Sequence, residues 1–102
     1  MIALQIKYTM NQELADITAL QAVAYLLSDE KRISWLLGET GLSSDELRLS
    51  PDNPDILAGI LDFLLAHEEI LIDFCACNEL DPNLLQQIRP FFPGAYQEFH
   101  TP

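Results

Sequence analysis

The sequence predicts an all-α fold, a compact bundle of about five to six helices. Three observations point to it. Apolar residues recur at three- and four-residue spacings through most of the chain, good capping residues stand before several of those runs, and only the segment ending at Tyr8 alternates as a strand would. That segment sets Ile2, Leu4 and Ile6 against Ala3, Gln5 and Lys7, but no second strand exists to pair with it. Residues 1–10 are therefore expected to form a mobile N-terminal arm.

Thr9 or Asn11 caps a first helix running to about Leu27, with Ile17, Leu20, Ala24 and Leu27 as its apolar stripe and Val23 on the flank. Residues 19–27 are apolar almost all round, which places this helix in the middle of the domain. Ser28 is expected to cap a second helix, with Asp29 and Glu30 in the first turn where the helix dipole favours acids. It buries Ile33, Leu36 and Leu37 and stops near Gly41. Ser43 and Glu46 form a capping box that opens a short helix through Arg48 or Leu49.

Residues 50–55, Ser-Pro-Asp-Asn-Pro-Asp, are the clearest punctuation in the chain. Asn53 caps the next helix and Pro54 occupies its first position. Ile56, Leu57, Ile60, Leu61 and Leu64 share one face there, with Phe63 at the margin and Asp55, Gly59 and Asp62 opposite. A fifth helix starts near His67 and turns Ile70, Leu71, Phe74 and Cys77 inward. Asp81-Pro82 opens a short sixth with Leu84, Leu85 and Ile88, and Pro90 closes it. Residues 11–90 thus read as the helical domain. Residues 91–102 form an aromatic tail that packs on the domain or on a partner.

A shift of 38 residues lays the chain on itself: Tyr25-Leu26-Leu27 on Phe63-Leu64-Leu65, Ile33 on Leu71, Leu36 on Phe74, Leu42 on Leu80 and Leu47 on Leu85. The unit would be a long helix, a second helix and a short capped helix, used twice and packed face to face. A Leu-rich helical chain also produces such echoes by composition, and both readings stay open here.

Charge is the compositional outlier. Sixteen acidic residues against five basic ones give a net charge of -11. A nucleic-acid binder needs cations to displace phosphate counterions, so no nucleic-acid partner is expected, and an anionic membrane surface is disfavoured likewise. No apolar run approaches the roughly 20 residues that span a bilayer. The first residues lack a basic leader and a cleavage site, which gives a cytoplasmic expectation.

The motifs that carry chemistry each have a structural explanation. His67 precedes Cys75 and Cys77 by over two turns, roughly 12–15 Å along a helix, so these groups cannot share one metal ion. Cys75 and Cys77 point to nearly opposite sides and should not bond to each other. Glu69 and Asp73, with Asp62 from the helix before, would be a carboxylate group only if they converge. The stretch from Leu36 to Arg48 has a helix-turn-helix layout, but Asp45 and Glu46 stand where phosphate contacts would be needed. Gly-x-Ser-x-Gly, phosphate-loop and dinucleotide patterns are absent from the sequence. The reading assigns no catalytic residue, cofactor or metal.

Residues 19–22 (Ala-Leu-Gln-Ala), 37–41 (Leu-Gly-Glu-Thr-Gly) with 45–48 (Asp-Glu-Leu-Arg), 60–65 (Ile-Leu-Asp-Phe-Leu-Leu), Phe74-Cys75 and Pro93-Gly94 resemble the small bacterial proteins of domain of unknown function 3572. The resemblance spans roughly residues 12 to 102, and residues 62–65 followed by Phe74-Cys75 are its most specific part. The chain differs at Glu79-Leu80, where the family usually has Gly-Leu, and at Pro90-Phe91-Phe92. The resemblance implies a compact helical fold and a bacterial cytoplasmic setting, and brings no activity or ligand.

The functional expectation is a non-enzymatic helical protein-interaction module. Its contact surface is sought at Phe91, Phe92, Tyr96 and Phe99 and at Trp35, which falls on Asp73 in the repeat; ordinary core packing is the other reading of Trp35. The alternatives are a homodimeric structural protein using the same aromatics and a small acidic regulator that occupies a basic groove on a partner.

Overall fold

The computed structural model describes residues 11–94, which form six helices and a 3-10 turn; the N-terminal arm and residues 95–102 lie outside the described residues. Helix α1 (Gln12–Leu27) starts at Asn11, whose side chain accepts from the Leu14 amide at 2.8 Å. Helix α2 (Glu30–Thr40) is capped by Asp29, not by Ser28. Ser28 closes α1 instead, its Oγ donating to the Tyr25 carbonyl at 2.6 Å. The Asp29 carboxylate accepts from the amides of Lys31 and Arg32, and these bonds, Lys31 first, hold its pKa below the ordinary value.

Gly41 ends α2 in the left-handed conformation, at φ 78°. Helix α3 (Ser44–Leu49) carries the predicted capping box: Ser43 Oγ accepts from the Glu46 amide at 3.0 Å, and Glu46 accepts from the Ser43 amide at 2.9 Å. Helix α4 (Pro54–Ala66) begins as predicted, with the Asn53 side chain accepting from the Asp55 amide. Phe63 is buried, not marginal. His67 closes α4 and opens α5 (Glu68–Asn78), so the two helices share one residue as their joint. Helix α6 (Asn83–Ile88) runs into the 3-10 turn at Arg89–Phe91.

Helices α1 and α4 meet at the centre, with α2 beside the first and α5 beside the second. The apolar stripe predicted for α1 is the wrong one. Ala15, Ala19, Ala22 and Leu26 are fully buried, whereas Ile17, Leu20 and Leu27 are exposed, and Ala24 lies out with them. The reason is steric. A row of alanines lets the α1 backbone approach α4 closely, and the larger α4 side chains Ile56, Ile60, Leu61 and Leu64 fill the space. In α5 the thiol assignment is reversed as well: Cys75 is buried and Cys77 exposed. They flank the buried face on opposite sides, and packing against α4 selects the Cys75 side. Burial, with a smaller effect of Asp81, pushes the Cys75 thiol up.

The 38-residue repeat is present in the structure. Shifted by 38, the bounds of α2 become those of α5, and α3 lands within one residue of α6. Gly41 and Glu79 then coincide, both left-handed, at φ 78° and 57°. Ala22 and Ile60, Leu26 and Leu64, Leu36 and Phe74, and Leu47 and Leu85 form matching pairs, every member fully buried.

The start of the aromatic tail belongs to the core. Phe92 is 4% exposed and Phe91 packs partly buried against the same cluster. Arg89, itself buried, fastens this turn to α4: its guanidinium donates to both Asp62 oxygens, at 2.6 and 3.0 Å, and to the Phe92 carbonyl at 3.1 Å.

Candidate functional site

Trp35 is 48% exposed and sits at the corner where α2 meets the α4–α5 joint. Two pairs of residues, each four apart and so on one helix face, build this corner. Trp35 and Glu39 come from α2, Phe63 and His67 from the end of α4. The His67 ring lies against both aromatic rings, with centroids 4.4 Å from Trp35 and 4.6 Å from Phe63, and Trp35 meets Phe63 edge to face at 5.6 Å. The Glu39 carboxylate joins the pairs: Trp35 Nε1–H donates to it at 3.1 Å and His67 Nε2 lies 2.7 Å away. An ionised carboxylate only accepts, so Nε2 carries a proton in this contact. Beside Trp35 a groove of about 260 Å³ runs along the first turn of α5, lined also by Ala66, His67, Glu68, Glu69 and Ile70.

The repeat places a second corner between α1 and α5. Under the 38-residue shift Tyr25 corresponds to Phe63 and Asp73 to Trp35, so the contact of Tyr25 with Asp73 matches that of Phe63 with Trp35. Tyr25 Oη donates to Asp73 at 2.6 Å and its ring packs on Phe74 at 5.3 Å. The Arg32 guanidinium lies 4.2 Å over the Tyr25 ring and 3.4 Å from Asp73. A cleft of about 420 Å³ opens here, with Arg32, Ser28 and Cys77 on its walls.

Among the described residues expected to form a contact surface, only Trp35 is well exposed. Phe92 is withdrawn into the chain's own core, because its aromatic area is worth more there than in water, and Phe91 follows it in part. Tyr96 and Phe99 lie outside the described residues. The three carboxylates considered together are dispersed: Asp62 pairs with Arg89, Asp73 with Tyr25 and Arg32, and Glu69 faces the Trp35 groove. The sequence does not single out Glu39, and His67 reads there only as the start of the fifth helix. The four-residue spacings of both pairs were legible, but their meeting was not. Among the described residues no three His, Cys, Asp or Glu side chains are grouped to hold a metal ion, and no helix is long and apolar enough to cross a membrane.

The described residues form an all-helical domain in which two stretches share one 38-residue register of helix ends and burial, with a half-exposed aromatic corner. The chain belongs to the family described as Protein of unknown function (DUF3572), whose model matches residues 12–95. No curated protein and no solved structure matches it.

Proposed function

We propose that the protein is a non-enzymatic interaction module of the bacterial cytoplasm that binds a basic surface on another protein. The observation that carries this reading is Trp35, a large aromatic left half in solvent among Glu39, Glu68 and Glu69. Tryptophan is enriched at binding hot spots and buries much area for little conformational entropy. Charge supports the same partner. Among the described residues Arg32 and Arg89 are engaged by the chain's own carboxylates, leaving Lys31 and Arg48 as the basic side chains in no ion pair. With a net charge of -11, an approaching cationic surface is attracted from several sides.

Site-specific photo-crosslinking in cells tests this. A photoreactive residue at Ser34, exposed beside Trp35, should capture one basic protein, and the same residue at Gln86, exposed on α6, should not. Identical capture from both positions, or capture of none, would count against the reading. Self-association is a second reading, favoured by the exposed Ile17, Leu20 and Leu27 on the outer face of α1. It expects a concentration-dependent dimer in sedimentation that Leu20→Glu abolishes.

A further inference from the structure

We propose that the groove between Trp35 and the first turn of α5 receives an arginine side chain of the partner protein. The inference rests on the interaction reading above and names what that site would hold. At about 260 Å³ the groove is smaller than the roughly 300–1,000 Å³ of small-molecule pockets, and matches one long side chain. Trp35, Ala66 and Ile70 offer an apolar wall for a methylene stem. Glu68 and Glu69, both exposed at the mouth, offer carboxylates to a cationic head. The α5 N-terminus opposes a cation, but its partial charge of roughly half a unit is outweighed by those two carboxylates.

The duplicated corner shows how this architecture holds a guanidinium. There the chain's own Arg32 lies over the Tyr25 ring beside the Asp73 carboxylate. At the Trp35 corner the position corresponding to Arg32 is Ile70, which is buried. Phe63 repeats the Tyr25 ring, but Trp35 takes the place of Asp73 and Ile70 that of Arg32, so the internal cation is absent here and the carboxylates come from Glu68 and Glu69 instead. Arginine fits better than lysine because a planar guanidinium stacks on an indole face and bridges carboxylate oxygens, whereas an ammonium is a compact, strongly hydrated charge.

The test is a titration of the whole chain with a short oligo-arginine peptide, following the emission of Trp35, its single tryptophan. The expected result is a saturable change in emission, absent with a citrulline peptide and weaker with oligo-lysine. The double variant Glu68→Gln with Glu69→Gln should bind about tenfold more weakly. These are exposed positions, so the fold is retained, and a thermal melt checks it. Binding that leaves Trp35 emission and the double variant's affinity unchanged overturns the groove while leaving the basic-partner reading standing. Equal affinity for oligo-lysine and oligo-arginine overturns the choice of arginine. No binding of either basic peptide at low salt overturns both the groove and the reading beneath it.

Discussion

Tyr25 joins α1 to α5 through its hydroxyl and holds Arg32 over its ring. Burial first, then the hydrogen bond to Asp73, push its phenol well above the ordinary 10.0, against a smaller opposing effect of Arg32. A phenol with a higher pKa folded than unfolded favours folding below the unfolded value and loses that contribution as pH rises past it. Melting temperature should therefore drop as pH climbs above about 10. Tyr25→Phe should flatten that alkaline limb in circular-dichroism melts, and an identical limb in the variant would locate the titration elsewhere. Arg89 poses a different balance. Arg89→Ala removes three charge-assisted bonds from a buried group and should cost about 2 kcal/mol in urea denaturation. Asp62→Ala leaves the buried Arg89 guanidinium with only the Phe92 carbonyl and should cost a comparable amount, about 2 kcal/mol.

At the scale of elements, the two related helix ends make a paired experiment. Both need a left-handed residue: Gly41 supplies it without strain, and Glu79 adopts φ 57° and ψ 47° with a Cβ present. Glu79→Gly should stabilise the fold by about 1 kcal/mol. A Cβ at position 41 meets nothing within 4 Å, so Gly41→Ala should cost about 1 kcal/mol from the backbone alone. Chemical denaturation of the two variants would give opposite signs. Equal signs would mean that the two ends are not conformational equivalents.

Across the whole molecule, the contact of α1 with α4 decides what is inside. Ala22 on α1 is fully buried, so Ala22→Leu should overpack the core and cost about 1–3 kcal/mol. Leu20→Ser, on the outer face, should change stability by no more than about 0.5 kcal/mol. That order reverses what hydrophobicity alone suggests, and equilibrium unfolding measures it directly. A large loss for Leu20→Ser would show that its face is covered in solution. The 38-residue register has a geometric consequence at this scale: it gives two related corners, one filled by the chain's own arginine and one with its tryptophan half-exposed.

The sequence by itself determined where the helices begin and end. Asn11, the Ser43 and Glu46 box, Asn53 with Pro54, and Gly41 act within four residues of their own position, so their causes are local. It also carried the family, the acidic balance and the 38-residue register. Only the tertiary structure decided which face of α1 is buried, because residues 19–27 are apolar almost all round and burial then follows the shape of α4. The same holds for Cys75 over Cys77, which lie at equal standing on the margins of one face. The candidate site divides likewise. Trp35 with Glu39, and Phe63 with His67, are each readable as a helical pair; that the pairs meet depends on how α2 packs against the end of α4, a long-range choice that no local pattern encodes.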